Sequence, residues 1–143
     1  MDRMDIVALF ARRADAWNRH DAITLAADHA EEAVADSPLW GRTEGRRNIQ
    51  GLYERWFASF QDLAYTAKAL VIDGNQAAQF FTIRATQTAP FAGVPATRRR
   101  LEFSGVARFT FGPDGLITHD ERLYDVTAVM VQLGVLKAKP VET

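Results

Sequence analysis

The chain has 143 residues, 48% of them hydrophobic, which suffices for a single domain with a substantial core. Its 17 lysines and arginines against 18 aspartates and glutamates leave a net charge of -1, so it offers no field to attract nucleic acid or an anionic membrane. Cysteine is absent, which excludes disulfides, thiolate nucleophiles and cysteine metal sites and suits a reducing compartment. Asp2, Arg3, Asp5, Arg12, Arg13 and Asp15 break up the first twenty positions, leaving neither a signal-peptide core nor a membrane-spanning run. These bounds predict one cytoplasmic domain over residues 1–143, without nucleic-acid or membrane partners.

Ile6, Leu9, Phe10, Arg13 and Trp17 recur at helical spacing and predict a helix from about Met4 to Asn18, its apolar stripe broken only by Arg13. Asp21 is placed to cap a short second helix through Ala27. Ala33 to Ala35 then lead as a short strand into the turn-forming Asp36-Ser37-Pro38. A polar, turn-prone stretch, GRTEGRRN, precedes a third helix carrying Ile49, Leu52, Tyr53, Trp56, Phe57 and Phe60 on one side. Two strands, Leu63–Ile72 and Gln76–Thr88, flank the hairpin signal Asp73-Gly74-Asn75. After a loop with Pro90, Gly93 and Pro95 come Leu101–Phe111 and Leu116–Tyr124, joined by Gly112-Pro113-Asp114-Gly115. Asp125 caps a last short helix that stops at Gly134, and the tail after Ala138 is expected to be loose. Helices followed by antiparallel strands argue an α+β fold with helices on one face of a curved sheet, an arrangement that encloses a small-molecule pocket.

The last hairpin carries an unusual load, with His119, Asp120, Glu121, Arg122 and Asp125 close together. A Pro-Asp-Gly turn sets Gly112 opposite Leu116, and regular pairing then puts Arg108 opposite Asp120, Val106 opposite Arg122 and Ser104 opposite Tyr124 on one face. The other face would gather Phe103, Ala107, Phe109, Phe111, Ile117 and Leu123 with His119 and Glu121. Either the apolar face packs on the helices and the charged one is solvated, or the charged face lines a pocket and a partner subunit covers the other. In the first case Arg108 and Asp120 form only a surface ion pair.

The order of elements, together with the loop Phe91-Ala92-Gly93-Val94-Pro95-Ala96-Thr97 and the ending from Tyr124-Asp125 to Gln132-Leu133-Gly134, resembles the SnoaL-like polyketide cyclases of the nuclear transport factor 2-like superfamily. The resemblance implies a cone-shaped, mostly antiparallel sheet wrapped around N-terminal helices, closing a pocket and often assembling as a homodimer or higher oligomer. It also implies a histidine on the penultimate strand and an acid/base aspartate on the last one. An ungapped alignment puts Arg108 and Arg122 at those two positions, and arginine takes no proton from carbon at physiological pH. Two guanidiniums could instead bind an enolate, carboxylate or phenolate, with Asp120 as base or as orienter of an arginine.

Asp36 resembles the position of the general base in the superfamily's ketosteroid isomerases. Flanked by Trp17, Trp40 and Phe57 it would be a desolvated base, whereas its plain role is to open a turn. Tyr124 is a candidate oxyanion donor or a rim tyrosine, and Gln87 and Val106 are candidate ligand contacts. His119 and Glu121, two apart, are acid/base candidates only if the faces are inverted, and His20, His29 and His119 lack metal-ligand spacing. Arg98-Arg99-Arg100 reads as a solvated strand edge. No glycine-rich phosphate loop or GxSxG elbow is present, so no cofactor or metal is expected. The leading expectation is cofactor-free isomerisation, cyclisation or dehydration of a hydrophobic carbonyl compound, with Asp36 or Asp120 as base and Arg108, Arg122 or Tyr124 stabilising negative charge. A non-catalytic binding or dimeric scaffold domain is the second reading, and epoxide hydrolysis the third.

Overall fold

A computed structural model describes residues 1–137, so the tail expected to be loose lies outside the described residues. Helix α1 (Arg3–Asn18) starts at a reciprocal cap in which the Asp2 side chain accepts from the Asp5 amide and the Asp5 side chain accepts from the Asp2 amide. Asp21 caps α2 (Ala22–Ala27), and α3 (Arg46–Ser59) buries Ile49, Leu52, Tyr53, Trp56 and Phe57, the stripe that its spacing predicts. The strands are β1 (His29–Ser37), β2 (Gly41–Glu44), β3 (Ala64–Asp73), β4 (Gln76–Thr86), β5 (Arg100–Phe111) and β6 (Ile117–Tyr124), and α4 (Val126–Gln132) follows the Asp125 cap.

The six strands form one sheet in the order β2-β1-β6-β5-β4-β3, antiparallel throughout except for the parallel β1–β6 pair. This is the α+β, nuclear transport factor 2-like arrangement that the element order implies. Strand β2 corrects the reading of GRTE as loop. Its short, exposed residues pair with Val34–Ser37 at the edge of the sheet, where no apolar alternation is needed.

The decisive correction concerns the last hairpin. Its turn is as expected, since the Gly112 amide donates to the Leu116 carbonyl and Gly115 takes a positive φ of 80°. Phe111 still faces Ile117, but Thr110 faces His119, so Thr118 is an extra residue in a β-bulge. From there the register moves by one: Arg108 pairs with Glu121, Ala107 with Arg122 and Gly105 with Tyr124. Because side chains alternate, the slip turns Asp120, Arg122 and Tyr124 onto the inner face beside Phe103, Ala107 and Phe109. Val106, Arg108, His119, Glu121 and Leu123 go outward. The apolar face thus packs on the helices, and Phe103 and Phe109 belong to the core rather than to a surface awaiting a partner.

Gly105 occupies the tightest point of that inner face. A Cβ there would lie 2.6 Å from the Leu123 carbonyl and 2.8 Å from the Phe81 ring, so glycine is what lets that ring cross over the strand. Gly105→Ala is expected to cost about 1–3 kcal/mol by overpacking, read as a lowered urea midpoint with an unchanged slope.

Candidate functional site

The helices and the inner face of the sheet enclose a cavity of about 40 Å³. That is room for a few water molecules, and a ring-sized ligand must part the walls. Most of the lining is aromatic: Phe10, Trp17, Tyr53, Trp56, Tyr65, Phe81, Phe103, Phe109 and Tyr124. The rings lock one another, with Trp17 stacked on Tyr65 at 5.1 Å and edge-on to Tyr53 at 5.4 Å, while Trp56 meets Tyr124 edge-on at 5.8 Å. Only Trp17, Tyr65 and Tyr124 among these aromatic groups are part-exposed, which marks the side where the wall reaches solvent.

Two guanidiniums enter this aromatic shell. Arg13 projects from α1, where its long side chain donates through Nη1 to the Leu25 carbonyl (3.0 Å) and the Asp28 carboxylate (2.9 Å), and through Nη2 to the Tyr53 hydroxyl (2.7 Å). Arg122 comes from β6, its guanidinium 4.6 Å from the centre of the Tyr53 ring. The Asp120 carboxylate holds it in a side-on pair, Nε to Oδ1 at 3.0 Å and Nη2 to Oδ2 at 2.9 Å. Asp120 is fully buried, and its Oδ2 also meets His29 Nε2 at 3.1 Å. Among the described residues, Nη1 of Arg122 has no hydrogen-bond partner.

The electrostatics follow from this pairing. Burial alone would push the Asp120 carboxyl up, but Arg122 and the His29 contact outweigh it and hold it well below the usual carboxylate range. Burial likewise opposes the charge on Arg122, yet Asp120 raises it beyond the ordinary arginine value. For His29 burial wins, assisted by Arg13 and Arg122 against Asp120, so its imidazole sits below its ordinary value and is neutral at pH 7. Burial pushes the Tyr124 phenol up to about 12, with Arg122 opposing, and its hydroxyl stays protonated at neutral pH. That hydroxyl is buried with no hydrogen-bond partner. The Leu39 backbone is near enough to favour its ionised form slightly but does not bond to it.

Of the residues singled out from the sequence, Arg122, Tyr124 and Trp17 line the cavity and Asp120 stands behind Arg122. The others lie elsewhere. Arg108 is on the outer face, half-exposed and 3.6 Å from Glu121. Asp36 is also outside, beyond the buried Ala33 and Ala35, where it accepts from His119 Nε2 at 2.7 Å and is neither desolvated nor flanked by aromatic rings. Val106 points outward. Trp40 lies beside a surface groove with Arg55 over its ring, and Phe57 packs against Trp17 and His20 without lining the cavity. Gln87 is fully buried for a structural purpose: its amide donates to the Val94 and Pro95 carbonyls and accepts from Thr97, tying down the 88–97 loop. With Asp36 outside and Asp120 enclosed, no pair of carboxylates faces the cavity, so the water-holding pair that epoxide hydrolysis needs is not assembled among the described residues.

Sequence reasoning missed Arg13, Tyr53 and His29. The signal at Arg13 was its core position in a helical stripe, because an arginine buried there must find partners for its donors. Nothing local links His29 to Asp120, ninety-one residues later.

The SnoaL-like domain family matches residues 10–120. No curated protein matches the chain. Among solved structures, TsrD from Streptomyces laurentii is 26% identical with a TM-score of 0.85, the match covering 95% of this chain and 99% of TsrD. AclR from Streptomyces galilaeus, described as a candidate hydroxylase, is 24% identical with a TM-score of 0.84 over 97% of this chain and 91% of its own. IdmH from Streptomyces antibioticus, described as a candidate polyketide cyclase, is 26% identical with a TM-score of 0.73 over 90% and 98%.

The Asp120–Arg122 pair has a measurable signature. Asp120→Asn leaves a buried guanidinium uncompensated and is expected to lower stability by about 3–5 kcal/mol, whereas Asp120→Leu combined with Arg122→Met costs less than either change alone. Since the folded carboxyl is depressed, its stabilisation is present above the unfolded value of about 4 and disappears as pH falls through the folded one. Urea titrations from pH 7 to pH 3 should show the onset of that loss in the native protein and a smaller one in the double variant, where Asp21 and Asp62 remain as depressed carboxyls.

Proposed function

The chain belongs to the SnoaL-like family, and on that footing we propose that it binds a hydrophobic, carbonyl-bearing small molecule and stabilises negative charge on the carbonyl oxygen. The observation that carries this reading is the convergence of unused donors, Nη1 of Arg122 and the Tyr124 hydroxyl, in an otherwise aromatic cavity. Of the two, the Tyr124 hydroxyl is buried, and leaving it without a partner costs about 1–3 kcal/mol, which an oxygen of the ligand relieves. Arg122 supplies a fixed positive charge and Tyr124 a proton that it keeps at neutral pH. The pair thus holds and polarises a carbonyl oxygen, the electrostatic half of cofactor-free isomerisation or cyclisation. A proton leaving carbon must go to a group of the ligand or to water, because the lining holds no carboxylate or imidazole. Asp120 orients Arg122 and is not the base: its oxygens are occupied and it does not reach the cavity. AclR is described as a candidate hydroxylase and IdmH as a candidate polyketide cyclase, and a pair of donors to a carbonyl oxygen suits the latter chemistry.

Titration with acetophenone, an aryl ketone small enough to enter once the walls part, tests this by quenching of Trp17 and Trp56, two of the three tryptophans. Saturable quenching is expected, weakened about tenfold or more in Tyr124→Phe, which deletes one hydroxyl and leaves the ring in place; equal affinity in that variant would remove Tyr124 from the reading.

We also propose that a second copy of the chain covers the outer face of the sheet. Phe80 (44% exposed), Val106 and Leu123 (56% exposed) form one cross-strand row, with the pair Arg108–Glu121 next to it on one side and, beyond the Thr82–Ser104 hydroxyl pair, Arg84–Glu102 on the other. Opposite charges on either side of an apolar row are self-complementary under a two-fold axis. Sedimentation at micromolar concentration should give a dimer that Leu123→Lys dissociates, and a native monomer would overturn this assignment.

A further inference from the structure

His29 presents a proton inventory that does not close. Its Nδ1 lies 3.2 Å from the Leu25 carbonyl and its Nε2 lies 3.1 Å from Asp120 Oδ2, so both ring nitrogens face acceptors. A neutral imidazole donates from one nitrogen only, and only the imidazolium satisfies both contacts. Yet the ring is fully buried, and the groups packed around it disfavour another positive charge. Arg13 comes from α1 and Arg122 from β6, while Arg46 of α3 donates through Nε to the His29 carbonyl at 2.8 Å. Asp120 is the opposing negative group, Asp28 directly precedes His29 in the chain and is bound to Arg13, and the Tyr53 ring lies 6.1 Å from the imidazole.

Leaving aside Arg46, which is part-exposed and screened by solvent, the charges around the ring are balanced while it is neutral. Arg13 is matched by Asp28 and Arg122 by Asp120. An additional anion in the cavity would leave one uncompensated negative charge in a site of low dielectric, where charges interact strongly. His29 is placed to cancel it, one carboxylate away from the guanidinium that the anion would meet. Resting on the reading that Arg122 and Tyr124 receive the ligand's oxygen, we propose that the ligand is an aromatic acid or another ring-bearing anion, and that its binding draws one proton onto His29 through the Asp120–Arg122 bridge. No bond is made or broken in the ligand. The anion takes the free Nη1 edge of Arg122, Asp120 is correspondingly less neutralised, and a solvent proton settles on the imidazole that already has a second acceptor waiting. His29 does not touch the ligand, and acts as a positioning residue through Asp120.

The probes are benzoate, its neutral isostere benzamide, and acetophenone, titrated into the full chain by calorimetry at about pH 7 in two buffers of different ionisation enthalpy. Benzoate is already ionised there, so any proton taken up goes to the protein. The expected result is benzoate binding at least about tenfold tighter than benzamide, with uptake approaching one proton per benzoate and none for acetophenone. Benzoate affinity should also fall as pH rises above neutrality. Carbon-13 spectra of the histidine rings locate the proton: His29 is expected to shift to the imidazolium form, whereas His119 and His20 are not. His29→Gln is expected to abolish the uptake and His119→Gln to leave it intact. The wild-type measurement decides the matter even if His29→Gln fails to fold. Benzoate binding without proton uptake, or no better than benzamide, overturns this inference while acetophenone binding keeps the proposed function standing. If neither benzoate nor acetophenone binds, both fall together.

Discussion

The side-on pair between Asp120 and Arg122 is the constraint on which the inner face depends. A carboxylate and a guanidinium on alternate positions of one strand are forced to the same side by the pleat, and the packed helices deny both of them water. Once enclosed, each is tolerable only because of the other. The Tyr53 ring lies against Arg122, and Tyr53 in turn accepts from Arg13, so the ion pair fixes the approach of α3 and α1 to the sheet as well as its own geometry. Replacing such pairs by apolar residues often stabilises a protein. Their presence here reads as a requirement of the cavity rather than of the fold.

The rim of that cavity is held by a different device. Asn18 of α1 donates to the Tyr65 carbonyl and accepts from the Tyr65 amide, both at 2.8 Å, which makes it a one-residue strand on the free edge of β3. Gln132 of α4 does the same to Glu102 at the start of β5, at 2.7 and 2.9 Å. Each amide has one donor and one acceptor side, matching a peptide group, and each satisfies an edge that would otherwise be open to another chain. Tyr65 is thereby fixed against Trp17, so the part-exposed side of the aromatic wall is latched by a single side chain near the end of α1.

What could be read from the sequence divides along physical lines. Helices α1, α2, α3 and α4, both hairpins and the Asp21 and Asp125 caps follow from periodicity and turn chemistry, which are local. The bulge at Thr118 does not. It depends on parallel pairing with β1, which begins at His29 opposite Ile117 after the Ile117 amide has bonded to the Asp28 carbonyl, and β1 has its own irregularity between His29 and Val34. One extra residue was enough to exchange the faces of every later side chain on β6, which is why Arg108 and Val106 left the site while Asp120, Arg122 and Tyr124 joined the apolar wall. Asp36 failed for the converse reason: its neighbours Ala33 and Ala35 are small but buried, so the inward positions of β1 belong to them.

The residues that the sequence did not connect share a property. Arg13, His29 and Tyr53 lie on three separate elements, and each looks ordinary in its own segment: a break in a stripe, a helix-flanking histidine, a core tyrosine. Together they spend nearly every hydrogen-bonding capacity within the protein. Next to a network whose donors and acceptors face one another inside the protein, the unpaired hydroxyl of Tyr124 and the open edge of Arg122 stand out as positions on the cavity wall where the protein has left valence for something else. Had the network been built for stability alone, phenylalanine at 124 would have packed against Trp56 and Phe103 equally well without a buried unsatisfied oxygen. The polar atoms therefore argue for a ligand more strongly than the cavity's present volume argues against one, because the wall reaches solvent at Trp17 and Tyr65, held there by the single latch of Asn18, whereas Arg122 is held in place by Asp120.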